Sequence, residues 1–221
     1  MQSWGASSKF GRRTTEHEPT KSGVIGIVAA ALGRRYEDNI DDLAGLDFGV
    51  RIDQPGRLMR DYHTVKTNDG RPLVNDFRYY LEDAVFLAGL SGDCILIDNI
   101  AGAMINPHFL LYLGRRSCPP AGPVCLGVRK GVGLADALES EPWQASKWYK
   151  ECSEVNPVNL KIITDTDDIS HTDLSVRDVP VSFNQTHRKY NYRARKQSFF
   201  LMPIKTPIET DHDFFQHLGD A

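Results

Sequence analysis

An apolar run near the start of the chain predicts a buried helix. Residues 22–32, SGVIGIVAAAL, are small or apolar throughout, with no charged position in the run. Thr20 or Ser22 can cap the N-terminus of this helix, and Gly33 can end it. Because its alanine-rich surface is apolar, we expect the helix to pack against a sheet.

The rest of the chain alternates between short extended pieces and short helices. Residues 48–53, FGVRID, alternate apolar and polar side chains as a half-buried strand does. Gly, Pro and Asn interrupt residues 54–76, which predicts a protruding β-ribbon or a long loop. Further extended pieces are predicted at 78–90, 108–113, 157–164, 177–183 and 187–202, and further helices at 38–46, 98–106 and 132–140. No parallel βαβ crossover is evident, so the pattern favours an α+β fold with helices on one face of an antiparallel sheet.

Composition limits the classes of function. The chain has 221 residues and a net charge of -3, so any nucleic-acid site must be a local basic patch. No run of about 18 apolar residues occurs, so no membrane span is predicted. The four cysteines form no CxxC pair, and we interpret them as free thiols of a reducing cytoplasm. No metal site and no cofactor are expected.

The first basic segment precedes the predicted helix. Lys9, Arg12, Arg13 and Lys21 surround a helix N-terminus, where free N–H groups and the helix dipole attract phosphate. PTKSG is not a P-loop, because that motif needs glycines that this stretch lacks. A solvated loop before a capped helix remains an equal alternative.

Three more basic segments follow. RDYHT (60–64) lies in the predicted ribbon, and LGRRSCPP (113–120) sets two arginines in a turn that can grip phosphates or form salt bridges. RKYNYRARK (188–196) interleaves cations with tyrosines, which suits single-stranded nucleic acid. A strand with one buried aromatic face and one solvated face would show the same alternation.

The order of these segments resembles a known family. MQSWG, the basic loop, PTKSGVIG, FGVRID, RDYHT, RYYLEDAVF, LGRRSCPP and RDVPVSF together are similar to the CasD family of type I-E CRISPR Cascade complexes, over about residues 1–195. The resemblance implies a ferredoxin-like (RRM-like) core with an antiparallel sheet and a protruding thumb at about 50–80. It implies one domain, 1–205, followed by an acidic and flexible tail, 206–221.

The same resemblance implies a function. Members of the family hold the 5′ handle of the crRNA, cap the backbone of CasC subunits and contact the large CasA subunit, so they meet target DNA only indirectly. They are cytoplasmic and without a membrane anchor. They usually carry a further strand before QSWG, and a chain without it would leave an unpaired edge in the sheet.

The resemblance also assigns candidate RNA contacts, and no catalytic or metal-binding residue. They lie in the opening loop, the helix start, the thumb, the arginine turn and the last basic segment: Lys9, Arg12, Arg13, Lys21, Ser22, Gly23, Arg60, His63, Lys66, Arg115, Arg116, Arg188 and Arg193. The alternative is a metal-independent endoribonuclease that processes CRISPR repeat RNA, as a subunit of the same superfamily does in type I-C systems. It would use His63 with Lys66 and Tyr62, or the more distant Tyr36.

Overall fold

A computed structural model describes residues 1–5, 14–153, 157–167, 174–184 and 186–203. The helices in these ranges are α1 (Lys21–Ala31), α2 (Asp41–Ala44), α3 (Cys94–Ile105), α4 (Leu134–Ser140) and α5 (Lys147–Glu151). The strands are β1 (Asp47–Gln54), β2 (Arg57–Lys66), β3 (Pro72–Glu82), β4 (Val85–Ser91), β5 (Val158–Asp165), β6 (Leu174–Ser182) and β7 (Lys189–Met202). The predicted tail lies outside the described residues.

Five strands form one antiparallel sheet in the order β4-β1-β5-β7-β6. β1 is its most buried strand among the described residues, and it pairs with β4 along nearly all of its length and with β5 from Gly49 to Ile52. The prediction of an antiparallel sheet combined with helices is therefore confirmed.

β2 and β3 form a separate two-stranded sheet, called the ribbon below. Arg57 pairs with Glu82 at its base, and Lys66 pairs with Pro72 beside the turn at its far end. The ribbon predicted at 54–76 is thus present and continues to residue 82. The predicted extended piece at 78–90 is divided between β3 and β4, because Asp83 takes a positive φ of 58° between them.

The helices cover both faces of the five-stranded sheet. α1 and α3 share a core with Leu90 of β4, which pairs with Phe48 of β1. Gly49 of β1 and Gly89 of β4 form the next pair along these strands. Leu134 and Leu138 of α4 pack against this pair, because glycine leaves room for them. Consecutive strand positions face opposite sides. The expectation that all helices lie on one face was therefore wrong for α4.

The apolar piece at 108–113 was predicted to be a strand, and this prediction is wrong. It caps the C-terminal end of α1 instead. The backbone N–H groups of His108 and Phe109 donate to the carbonyl oxygens of Ala31 and Ala30 at 2.9 and 3.1 Å. These carbonyls end a helix and have no partner within it. Gly33 has φ 78° beside the His108 ring, so the predicted helix stop is confirmed.

The helices predicted at 38–46, 98–106 and 132–140 are observed as α2, α3 and α4 with different bounds, and one helix was not predicted. α3 begins four residues earlier than predicted, because the Asp93 carboxylate accepts from the N–H groups of Ile95 and Leu96. The short helix α5 was not predicted, since five residues carry too little periodicity to identify. Among the described helices, none has the length and apolar character needed to cross a membrane.

β4 is an edge strand among the described residues, pairing with β1 alone. Beside it lies an apolar groove of about 610 Å³, lined by β4, α1, α3, α4 and the irregular segment 120–132. An ion pair of 2.9 Å between Lys130 and Asp98 joins that segment to α3.

Candidate nucleic-acid interface

The opening segment joins the ribbon to the arginine turn, residues 113–118. Gln2 and Leu81 exchange two backbone hydrogen bonds of 2.8 Å, which attaches the segment to the base of β3. The N–H of Ser3 donates to the carbonyl of Leu113 at 3.1 Å, and Leu113 donates to Cys118 at 2.7 Å, which closes the turn. Three elements that are distant in sequence therefore meet at one junction.

Gly114 makes this close approach possible. It has φ 84°, and a Cβ atom there would lie 1.8 Å from the carbonyl oxygen of Ser3. A side chain at this position would both strain the backbone and collide with it. The two arginines that follow are consequently presented directly beside the opening segment.

The two arginines of the turn have different surroundings. The Arg115 guanidinium lies 4.9 Å from the ring centroid of Tyr80 in β3, and it donates to the carbonyl of Thr14 at 3.4 Å. Arg116 is exposed, and hydrogen bonds to Tyr36 and then Tyr112 raise its pKa. Arg115 thus ties the turn to the ribbon, whereas Arg116 keeps its charge in solvent.

Lys9, Arg12 and Arg13 lie outside the described residues, but the residues that flank them are fixed. The N–H of Trp4 donates to Thr15 Oγ1 at 2.9 Å, and the N–H of Glu16 donates to the carbonyl of Trp4 at 2.5 Å. Trp4 itself is buried under this junction and packs against Leu81. The basic opening loop therefore leaves and rejoins the fold next to the arginine turn.

The start of α1 is occupied by protein groups. Thr20 caps the N–H of Gly23 at 3.2 Å, and Asp178 Oδ2 accepts the N–H of Lys21 at 2.9 Å. The Lys21 ammonium group lies 3.0 Å from Asp165 and is buried, as is Ser22. RNA contact by Lys21, Ser22 and Gly23 stays a prediction, but this helix N-terminus already holds a carboxylate where a phosphate was expected.

Arg193 belongs to the same buried ion network. Its guanidinium donates to both carboxylate oxygens of Asp178, at 2.6 and 3.0 Å, and also reaches Asp165. It further lies 5.1 Å from the Phe48 ring centroid. Despite its burial, the carboxylates raise the pKa of Arg193. Arg188, in contrast, is exposed in the segment before β7.

The ribbon carries an aromatic and cationic surface. The Arg60 guanidinium lies 5.0 Å from the Phe77 ring centroid, and the rings of Tyr62 and Phe77 are 5.4 Å apart. Lys66 is exposed near the far end. His63 pairs with Asp76 in the backbone register, and its side chain lies outside the described part of the structure.

The nuclease alternative uses Tyr62, His63 and Lys66 of β2. Tyr62 and His63 are consecutive positions of β2, which fall on opposite faces of a strand. A general base and a second group must reach the same phosphate to cleave RNA. Within the described ranges, His, Cys, Asp and Glu side chains form no group of three or more suited to a metal ion.

Sequence reasoning did not identify the partners of the candidate cations. Asp165 and Asp178 bind Lys21 and Arg193, although these four residues are spread over the whole chain. The position of Tyr80 under Arg115 did have a signal in the sequence. RYYLED places two tyrosines at consecutive strand positions, and consecutive side chains face opposite sides of a strand, so one tyrosine faces each side. Burial alone would raise the pKa of Tyr80, but hydrogen bonds from Ser117 and Arg115 lower it.

Comparison with known proteins agrees with this architecture. The chain is 35% identical over 159 residues to the CRISPR system Cascade subunit CasD of Escherichia coli (strain K12), which covers 62% of this chain and 71% of that protein. A chain of a solved CRISPR RNA-guided surveillance complex has a TM-score of 0.73 at 31% identity, covering 91% of this chain and 87% of that one.

A second solved structure, a crystal structure of a Cas protein, has a TM-score of 0.71 at 33% identity and covers 93% and 94% of the two chains. These structures share the mixed α/β fold with its antiparallel sheet. The family model for CRISPR-associated proteins (Cas_Cas5) matches residues 1–196, nearly all of the described chain. The resemblance found in the sequence is thereby confirmed, and the chain belongs to the Cas_Cas5 family of CRISPR-associated proteins.

Proposed function

We propose that the chain is a non-catalytic, crRNA-binding subunit of a type I-E Cascade complex in the cytoplasm. It holds the 5′ handle of the crRNA, caps the backbone of CasC subunits and adjoins the large subunit CasA. Its core is ferredoxin-like, and the ribbon is its thumb. The assignment is supported by the similarity to a protein named as a Cascade subunit and to a chain of an RNA-guided surveillance complex.

The observation that carries the proposal is the junction held by Arg115. Its guanidinium contacts Tyr80 of the ribbon and the carbonyl of Thr14 at the end of the basic opening loop. Ribbon and arginine turn therefore meet where the chain re-enters the described structure at Thr14, and we expect the cations of the opening loop to add to this junction. Local positive charge of this kind attracts a phosphate backbone without a basic surface elsewhere.

The exposed cations are the ones suited to contact RNA. Arg60, Lys66, Arg116 and Arg188 are all exposed, and Tyr62 offers a ring for stacking beside Arg60. Stacking on aromatic rings combined with charge neutralisation is how proteins bind single-stranded nucleic acid. In this proposal, Lys9, Arg12 and Arg13 extend the surface. The buried Lys21 and Arg193 stabilise the fold beneath it through their ion pairs with Asp165 and Asp178.

The test is co-expression of the tagged chain with its genomic neighbours and a repeat–spacer RNA. We expect the chain to purify with a multi-copy backbone protein and a mature crRNA of uniform 5′ end. Omitting the CasE-type nuclease from the mixture tests the enzyme alternative, because unprocessed RNA is then expected. Recovery of the chain without RNA or partner subunits would contradict the proposal.

A further inference from the structure

A second cavity lies at the root of the ribbon, away from the arginine turn in sequence. It measures about 280 Å³ and is lined by the segment that leads into β2, the turn before β4, and α5: Gln54, Pro55, Gly56, Arg57, Asp83, Trp148, Tyr149, Cys152 and Ser153. None of the RNA contacts proposed above lines this cavity. The cavity therefore needs its own explanation.

The walls of the cavity are held rigidly. Gln54 Oε1 accepts from the N–H and the hydroxyl of Ser146 at 3.1 and 2.8 Å, and Gln54 Nε2 donates to the carbonyl of Asp83 at 2.6 Å. The Gln54 side chain thus connects Ser146, the residue before α5, to the turn between β3 and β4. Gly56 has φ 72°, and a Cβ there would lie 2.5 Å from the carbonyl of Glu82, so the entry to the ribbon is also close-packed.

The aromatic wall is supported from behind. Tyr149 packs edge-on against Trp143, with 6.1 Å between ring centroids, and Trp143 Nε1 donates to the backbone carbonyl of Asp53 at 2.8 Å. Trp148 in turn contacts Tyr149 edge-on at 5.6 Å, yet 48% of its surface stays exposed. Its indole is therefore positioned by the fold while remaining open to a ligand.

Two polar groups complete the lining. Asp83 and Arg57 are both exposed lining residues; a carboxylate accepts hydrogen bonds, and a guanidinium only donates them. A flat aromatic surface flanked by an acceptor and a cationic donor matches the chemistry of a nucleotide. The ring stacks on the base, a carboxylate can accept from an exocyclic amino group, and an arginine meets the phosphate.

We propose that this cavity receives one unpaired nucleobase of the bound RNA, stacked on Trp148. This inference rests on the proposed function, because it requires RNA to pass the ribbon. Arg57 begins β2, and Arg60 with its aromatic neighbours follows three residues later on the same strand. Positions 57 and 60 face opposite sides of β2, so in this proposal the RNA reaches the cavity on the Arg57 side of the ribbon root.

A partner protein inserting a side chain is the competing occupant. The exposed Arg57 in the cavity lining favours RNA, because a guanidinium can bind a backbone phosphate.

Photo-crosslinking distinguishes these occupants. The complex is assembled with repeat–spacer RNA in which 4-thiouridine replaces uridine, irradiated with near-ultraviolet light, and digested for peptide mapping. We expect one crosslinked position in the RNA to map to the peptide that contains Trp148 and Tyr149. The same sample reports RNA contact at the ribbon and the arginine turn, which tests the proposed function separately.

Affinity measurements on three variants of the complex complete the test. Trp148→Ala is expected to weaken RNA retention by roughly 5- to 150-fold, as for removal of one base–aromatic stack, without changing its salt dependence. Trp148→Phe retains a ring and keeps most of the affinity. Phe199→Ala removes an exposed ring of β7 outside the cavity and should leave retention unchanged.

The outcomes separate clearly. Adducts only at the ribbon or the arginine turn would overturn the cavity assignment, even if Trp148→Ala weakened retention, and would leave the proposed function standing. Release of a protein subunit with RNA retained would assign the cavity to a protein partner. A complex without any RNA adduct would overturn both proposals.

Discussion

Asp178 accepts the backbone N–H of Lys21 at 2.9 Å, so a carboxylate from β6 occupies the N-terminus of α1. The partial positive charge of a helix N-terminus favours an anion there. Arg193 balances the same carboxylate from β7 through two hydrogen bonds. The fold thus uses an internal anion at the position where the sequence predicted a phosphate.

Replacing Asp178 by Asn is expected to destabilise the protein by about 2–4 kcal/mol, because it leaves the buried Arg193 with one carboxylate fewer. Urea unfolding of the purified chain or complex measures this loss. Asp98→Asn removes the same group from an exposed ion pair with Lys130, and should cost less than about 1 kcal/mol. Equal effects of the two substitutions would show that the network adds little.

The contrast between these sites explains what the sequence could predict. Period-two and helical patterns are local, so α1, β1 and the ribbon were found near their observed positions. The role of Lys21 depends on Asp165 and Asp178, which lie more than one hundred residues away. A cation that pairs inside the fold has the same sequence signature as one that meets phosphate.

The piece at 108–113 shows the same limit for secondary structure. Its apolar residues satisfy strand propensity, but the N–H groups of His108 and Phe109 bind the end of α1 instead. Propensity describes only the segment itself, whereas the carbonyls at the end of α1 belong to a distant element. The helix on the second face, α4, was likewise misplaced because Gly49 and Gly89 gave no apolar signal.

Arg51 and Asp53 form a fully buried pair on β1 with 2.6 Å between Nε and Oδ1. Arg51 also donates to the carbonyl oxygens of Leu138, Glu141 and Pro142, so it anchors the segment after α4. Arg51→Met should destabilise the fold by about 3–5 kcal/mol, because it leaves a buried carboxylate without its cation. Urea unfolding reports the loss, and limited proteolysis reports opening of residues 138–146.

The matched control for that substitution is Arg71→Met. Arg71 is 84% exposed and pairs with Asp69 at 3.2 Å beside the ribbon turn. Its replacement should change the free energy of unfolding by less than about 0.5 kcal/mol. A loss below about 1 kcal/mol for Arg51→Met would mean that the anchoring contacts are compensated elsewhere.

Two glycine-to-alanine substitutions should have opposite signs. A Cβ at Gly23 would lie 2.7 Å from the buried Trp4 ring, so Gly23→Ala should destabilise by about 1–2 kcal/mol despite the better helix propensity. Gly102 lies inside α3 with nothing within 4 Å of its Cβ position, so Gly102→Ala should stabilise by up to about 1 kcal/mol. Thermal unfolding compares them, and two stabilising effects would contradict the packing of Trp4.

The Arg34–Asp42 ion pair predicts a pH dependence. The hydrogen bond from Arg34 is the main cause that lowers the pKa of Asp42 below its ordinary value of 3.8. A lowered folded-state pKa stabilises the protein above the unfolded value, and this contribution disappears as the pH falls through the folded value. Because Asp42 is half-exposed, Asp42→Asn should cost less than about 1 kcal/mol at neutral pH.

The effect of Asp42→Asn on the free energy of unfolding should shrink from neutral to acid pH and vanish once the pH is below the lowered folded-state pKa of Asp42, since the carboxyl group is then neutral in both states. Denaturant unfolding of both proteins at neutral and acid pH gives the difference directly. An effect that persists undiminished in acid would have to come from packing rather than from charge.

The salt dependence of RNA retention tests the exposed cations one by one. Each phosphate contact to single-stranded nucleic acid contributes about 0.7 to the slope of log affinity against log salt. Arg116→Gln and Arg60→Gln should each reduce the slope by about 0.7, and the double variant by about 1.4, if each side chain meets one phosphate. Filter retention of the crRNA by the purified complex over a range of KCl concentrations measures the slope.

Lys130→Gln is the control, because Lys130 is 73% exposed but pairs with Asp98 on α3, outside the proposed RNA surface. It should leave the slope unchanged. Arg115→Gln is expected to weaken retention more than its single charge implies, since Arg115 also holds the turn against Tyr80 and Thr14. Slopes that stay constant for Arg116 and Arg60 would place the RNA elsewhere, whereas a change confined to Arg116 would restrict it to the arginine turn.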